Sequence, residues 1–387
     1  MKFSELSISA RTSSALAEMG YDVATEVQEK TLPLLLQGEE LLVRSQTGTG
    51  KTAAFGIGLI EIIAKDRTKK GLILAPTREL ALQITKELRS IAKNHNLRIF
   101  AIYGGQGMGT QISHLRGGFD IIIATPGRLL DHVTRRTVHL GSVNIVILDE
   151  ADQMLDIGFK PDIDRILRQI NPHRQILLFS ATIDSRIKEI AHDYMAMPEM
   201  IEVGPVGKVV KIDEEFIKLS RAQKLDKLKE ILTREPMSRS LVFVASKHSV
   251  EAVCKKLNAS NIEAQYIHGG KSQTQRERVM RGFKEGSFRI LIATDVAARG
   301  IHIEDVSHVI NYDAADSAHI HTHRIGRTAR MGKAGKAITF VETDPLPKKP
   351  HRGRGGGHGQ HDYSRNSDSR GPPRSHGEYG RRRRFRT

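Results

Sequence analysis

Thiols are almost missing from this chain: Cys254 is its single cysteine. One cysteine cannot close an internal disulfide and supplies no thiolate cluster for zinc, which excludes a disulfide scaffold and implies a reducing compartment. Cys254 itself reads as a small core residue. Long apolar runs are missing too, and none approaches the length of a membrane span. The opening residues Met1-Lys2-Phe3-Ser4-Glu5 lack the charged and apolar regions of a signal peptide. A soluble cytoplasmic protein with no membrane partner is therefore the expectation.

What is abundant is positive charge, and it is unevenly spread. The 387 residues carry a formal net charge of +16. From Thr343 onward, Lys348, Lys349 and ten arginines face only Asp344, Asp362, Asp368 and Glu378, a net +8. Half of the excess thus lies in the last 45 residues. A polyanion, most simply nucleic acid, is the partner this implies. From Pro345, glycine, arginine, serine and proline replace aliphatic residues and no core can be built, so a disordered basic tail is expected.

The remaining length suits two domains. Phe3 to Gln37 reads as helical segments broken at Gly20 and before Pro33. Apolar runs then alternate with helix-length segments: Leu41 to Arg44, Leu72 to Ala75, Ile99 to Tyr103, Ile121 to Ala124, Ile145 to Leu148 and Ile176 to Phe179. Strands apolar on both faces and joined by helices predict a mostly parallel sheet covered on both sides. Val203 to Ser220 breaks the rhythm, and a second series follows: Leu241 to Ala245, Ala264 to Ile267, Ile290 to Ala293, Val309 to Tyr312 and Ala337 to Val341. The expected fold class is α/β in tandem: a first domain over 1–204, a linker over 205–220, a second domain over 221–343 and the tail over 344–387.

Ser45-Gln46-Thr47-Gly48-Thr49-Gly50-Lys51-Thr52 lies between a strand and a helix N-terminus. Backbone N–H groups and the helix dipole converge there on a polyphosphate, Lys51 reaches the terminal phosphates, and the Thr52 hydroxyl can ligate magnesium. Asp149-Glu150-Ala151-Asp152 ends another strand. Asp149 can hold the metal through water while Glu150 orients and polarises the attacking water. The cofactors expected are ATP and Mg2+.

With these and further ordered motifs, the chain from Phe3 to about Val341 resembles the DEAD-box RNA helicases, superfamily 2 ATPases with two RecA-like domains. Gly20 to Gln28 resembles the family's Q motif. The resemblance places Gln28 on the adenine edge, Tyr21 beside the base and Phe3 behind Tyr21. Pro76-Thr77-Arg78, Gly104-Gly105 and Thr125-Pro126-Gly127-Arg128 resemble the first domain's RNA contacts, and Ser246, Gln275, Arg278 and Thr294 the second's. Ser180 and Thr182 resemble the motif linking ATP chemistry to strand separation; Asp295, Arg299 and His323 are expected to share in that coupling. Arg324 and Arg327 resemble arginine fingers that neutralise the developing phosphate charge from the opposite domain.

The chain departs from the family at Ala24 (usually proline), His302 (aspartate near the ribose), His321 (tyrosine) and Ala329 (glycine). A neutral imidazole at 302 accepts one hydrogen bond where a carboxylate accepts several, so weaker nucleotide coupling is expected. His319, His321 and His323 alternate as if on one strand face, but no cysteine or acidic ligand accompanies them, which argues against a metal site. The resemblance implies RNA-stimulated ATP hydrolysis with local unwinding or remodelling of RNA and RNA–protein complexes, by a monomer. Structured RNA, such as ribosomal precursor or messenger, and ribosome-assembly or RNA-decay proteins are the candidate partners. The rival readings are an ATP-gated RNA clamp or annealing chaperone, in which the departures have cost unwinding, and a DNA-directed translocase. The short core and basic tail resemble the bacterial RhlE-like branch.

Overall fold

The computed structural model describes residues 1–46, 48–204, 212–234, 237–298, 306–329 and 334–344. The aliphatic runs become strands because they are buried on both faces. In the first domain these are β1 (Leu41–Arg44), β2 (Gly71–Leu74), β3 (Ile99–Ile102), β4 (Ile121–Ala124), β5 (Ile145–Leu148), β6 (Gln175–Ser180) and β7 (Glu199–Glu202). They pair in parallel in the order β3-β4-β2-β5-β6-β1-β7. One core, around Phe55 and Phe179, fills one face, and a second, around Ile163 and Leu178, fills the other.

The second sheet contains β8 (Asp213–Leu219), β9 (Ser240–Phe243), β10 (Ala264–Ile267), β11 (Ile290–Ala293), β12 (His308–Asn311) and β13 (Lys336–Glu342), ordered β10-β11-β9-β12-β13-β8 and again parallel. It too has a core on each face. Both sheets belong to one compact unit, Met1–Asp344. No helix among the described residues is long and apolar enough to cross a membrane.

Four local expectations change. Residues 213–219, assigned above to the linker, form β8, which pairs with β13 along its whole length. As an edge strand its Asp, Glu and Lys side chains face water, which hid it from an apolar pattern. The same reason conceals β7. Residues 205–211 lie outside the described residues, as does the tail from 345. Pro33 does not break its helix, which runs Glu26–Gln37. The ring is exposed, so the carbonyl one turn back that loses its donor lies on the solvent side. Finally, Ala318–Ile325 is a helix rather than a strand, and positions two apart on a helix do not share a face. Among the described residues no group of His, Cys, Asp or Glu could hold a metal ion by itself.

Candidate active site and RNA track

The phosphate loop follows β1. Its start is pinned to the next strand, since Ser45 N donates to Ser180 O at 2.9 Å. The Ser45 and Thr49 hydroxyls sit 2.6 Å apart, and Thr49 Oγ donates to Gln46 O at 3.0 Å. Gly50, at φ 93°, turns the chain into the helix Lys51–Lys65. Lys51 is buried and donates from Nζ to the loop's own Ser45 O at 2.9 Å.

Gln28 reaches the same loop. Its Oε1 accepts from Thr25 N (2.8 Å) at the start of its helix, and its Nε2 donates to Gly50 O (3.1 Å). A Cβ at Gly50 would lie 2.6 Å from that nitrogen, so the approach requires glycine. One amide hydrogen of Gln28 is left for a base edge. Tyr21 stacks on Phe3 with centroids 6.3 Å apart. Burial, then Glu87, which also accepts the phenol's hydrogen bond, raises the Tyr21 pKa.

At the end of β5, Asp149 is buried beside Lys51, Glu150 and Asp152. Burial pushes its carboxyl up to about 7 against the pull of Lys51, and Glu150 adds to the rise. Glu150 adopts a left-handed conformation (φ 51°), uncommon for a residue with a Cβ, and its buried Oε2 finds no hydrogen-bond partner among the described residues. A desolvated carboxylate next to an unpartnered carboxylate oxygen is the donor set that suits a hard divalent cation.

Asp152 faces the other way. One of its oxygens accepts from Ala181 N (3.1 Å), Thr182 N (3.1 Å) and Thr182 Oγ (3.2 Å); His323 Nε2, from the second domain, lies 3.8 Å from the same oxygen. Thr182 is thus tied to the acidic strand end through Asp152. Ser180 contributes its carbonyl to Ser45, while its hydroxyl is buried without a hydrogen-bond partner among the described residues.

The first-domain motifs expected on RNA gather at the C-terminal ends of β2, β3 and β4. Thr77, preceded by buried Pro76, caps the helix Arg78–Ile91 by accepting from Leu80 N. Thr125 precedes the helix Pro126–Thr134, which Pro126 opens. Gly105 takes φ 90° with Arg78 so close that a Cβ would lie 2.4 Å from its Nη1. Arg128 donates to Gln106 O at 3.2 Å, and Gly127 lies on its helix near Asp162.

In the second domain Ser246 caps the helix Lys247–Asn258, and Thr294 is buried at the end of β11. Two assignments need correction. Arg324 is not placed to act as a finger: Nε and Nη2 grip Asp295 at 2.6 and 2.8 Å, Nη1 donates to Asp313 O (2.6 Å) and Asn311 Oδ1 (3.2 Å), and the guanidinium lies over Phe243. Freeing a buried charge from a bidentate partner costs about 3–5 kcal/mol, so Arg324 holds its own domain together. Arg327 is buried as well.

The resemblance puts Gln275 and Arg278 near both RNA and the domain contact, but the residue of their helix that meets the first domain is Arg276. It pairs with Glu79 of the first domain at 2.7 Å and donates to Ala297 O at 3.4 Å. Arg278 is exposed, and Gln275 closes a capping box with Ser272. Arg276 shares a buried stripe with Met280 and Phe283, four and seven residues on, a signal that could have identified it. Thr47, Arg299 and His302 lie outside the described residues. Ala329, where glycine is usual, takes φ 56°. His321 binds Glu214 at 3.1 Å and stacks on exposed Phe216.

Residues 25–190 match the DEAD/DEAH box helicase model, and residues 223–332 the helicase conserved C-terminal domain. The chain is 43% identical over 343 residues to the ATP-dependent RNA helicase CshA of Listeria monocytogenes, covering 88% of this chain and 66% of that protein. It is 42% identical to the DEAD-box ATP-dependent RNA helicase CshA of Bacillus subtilis, covering 88% and 69%. These relatives carry the CshA name; the likeness to the RhlE-like branch rests on core length and tail alone. Among solved structures the chain is similar to S. cerevisiae Dbp5 bound to RNA and ADP BeF3, at 31% identity and a TM-score of 0.78 over 89% of this chain and 90% of that one. The motifs, both domain matches and these relatives agree, and the chain belongs to the DEAD-box ATP-dependent RNA helicases.

Proposed function

We propose that the protein opens short RNA duplexes locally, by closing its two domains on ATP and RNA together and reopening after hydrolysis. The observation that carries this reading is the pair of links between the domains. His323 approaches Asp152, whose oxygen also holds Thr182, and Arg276 reaches Glu79, one residue from Arg78. The first link lies on the nucleotide side and the second on the RNA side, so each ligand favours the same closed arrangement.

Within the closed site, Lys51 exchanges the Ser45 carbonyl for phosphate oxygens, and Gln28 offers its remaining amide hydrogen to the base. Glu150 takes the proton of the attacking water, and Arg327 meets the charge that develops on the phosphate. Asp149 and Thr52 would hold Mg2+, which supplies charge neutralisation on the phosphates when bound. The +16 charge supports a polyanionic partner and the family resemblance makes it RNA; structured RNA such as ribosomal precursor or messenger, handled by a monomer in the cytoplasm, is the setting we propose.

A strand-displacement assay tests the proposal. The protein should separate a short RNA duplex only with ATP, with RNA stimulating turnover more than DNA does, and Glu150→Gln should stop both activities. ATP-dependent RNA retention without displacement would point to a clamp instead.

A further inference from the structure

Beneath the Gly104–Gly105 loop lies a buried polar chain that none of the roles above uses. Gln111, on the helix Met108–Leu115, is 2% exposed, and His132, on the helix Pro126–Thr134, is fully buried. Gln111 Nε2 donates to Tyr103 O at 2.9 Å and to Gln106 Oε1 at 3.0 Å. Both amide hydrogens are thereby committed to the two ends of the loop. Its Oε1 must then act as acceptor, so the His132 Nε2, 2.9 Å away, carries the proton. On the far side, His132 Nδ1 lies 2.8 Å from Thr137 Oγ and is left to accept. Burial, then Arg128, lowers the imidazole pKa, in keeping with a neutral ring.

The same loop is held a second time. Arg128, one helical turn before His132, donates to Gln106 O at 3.2 Å. Gln106 is therefore gripped through its backbone by Arg128 and through its side chain by Gln111, with His132 fixing Gln111. Because Gly105 packs against Arg78, the chain determines how three RNA-facing segments sit relative to one another. A purely structural pair would spend its hydrogen bonds on the core. This one spends them on both ends of a glycine loop.

We propose that Gln111 and His132 are positioning residues for RNA: they set the Tyr103–Gln106 loop against Arg78 and Arg128 so that successive phosphates meet preplaced donors. The proposal rests on the RNA-directed reading above. It concerns two residues that never touch RNA.

Gln111→Glu preserves shape but replaces both donors with acceptors that face Tyr103 O and Gln106 Oε1. His132→Leu removes the proton held on Oε1, whereas His132→Gln offers an N–H at a similar reach. ATP turnover is measured against RNA concentration and against ATP concentration, with and without RNA. Losing one or two such bonds should raise the RNA half-saturation about 5- to 10-fold in Gln111→Glu and His132→Leu. His132→Gln should stay within about twofold of the parent, as should the ATP half-saturation and RNA-free turnover of all three.

Should either core variant fail to fold, Gln106→Leu, at the half-buried loop end, removes the acceptor without touching the core and should move the RNA half-saturation in the same direction. Folded variants with an unchanged RNA half-saturation overturn the proposal, as does a matching loss of RNA-free turnover. A parent protein whose turnover ignores RNA would instead overturn the functional reading.

Discussion

Replacing Glu79 by Gln removes one charge from a close charged pair between the two sheets. Arg276 and Glu79 lie 2.7 Å apart with side chains 6% and 16% exposed. Burial lowers the Arg276 pKa, and Glu79 is the principal influence opposing that fall. Removing one partner of such a pair strands the other charge, at about 3–5 kcal/mol for full burial. The partial exposure of Glu79 argues for a smaller cost of roughly 2–3 kcal/mol, a 30- to 150-fold change in the closing equilibrium.

The pair spans the domains, so this cost falls on ATP- and RNA-bound closure rather than on the folding of either sheet. The assay is a double-mutant cycle of Glu79→Gln, Arg276→Met and both together, read by RNA half-saturation of ATP turnover and by thermal melting without ligands. Each single variant should raise the half-saturation, the double variant should be less affected than the sum, and melting should move little. Additivity within about 0.5 kcal/mol would refute the reasoning, because it would mean that the two side chains do not act on one another. A large fall in ligand-free melting would place the pair's effect within a domain and refute it equally.

The remaining expectations concern the nucleotide side. Asp149 has its carboxyl raised from 3.8 to about 7, so the folded protein binds that proton more tightly than the unfolded chain does. The resulting penalty is absent below about pH 4, grows toward pH 7 and persists above; in denaturant unfolding without nucleotide or metal, Asp149→Asn should gain roughly 4 kcal/mol at pH 8, little at pH 4, and lose ATP turnover. Arg324→Ala should lower stability by about 3 kcal/mol or more in the same unfolding measurement, while Arg327→Ala should abolish ATP turnover. Ala329→Gly relieves the left-handed backbone and should stabilise the protein by about 0.5–1 kcal/mol, after the greater freedom of glycine in the unfolded chain is counted. Its denaturant midpoint reports this directly.

What the sequence discloses follows from what is buried. The inner strands are aliphatic on both faces, so Ile121–Ala124 and Ile145–Leu148 can be bounded to the residue. Asp213–Leu219 is covered on one edge only and carries charge where an inner strand carries isoleucine, which makes it look like a connector. The phosphate loop and the acidic strand end are legible because their chemistry is local. The identity of the saturated arginine is not, since Asp295 and Asn311 approach Arg324 from 29 and 13 residues away. Arg276 is an intermediate case: its helix is so polar that the arginines look alike until the spacing to Met280 and Phe283 is counted.

The bond from Gln28 to the Gly50 carbonyl ties two decisions together. On the function proposed above, the side chain that inspects the base also props the residue at which the phosphate cradle becomes a helix. A nucleotide presenting the wrong edge would therefore do more than forgo a contact at one end. By drawing the amide away from Gly50, or by failing to settle beside it, such a nucleotide would leave the cradle itself less firmly shaped. Recognition at the ring is felt at the triphosphate, and discrimination becomes a property of the whole loop.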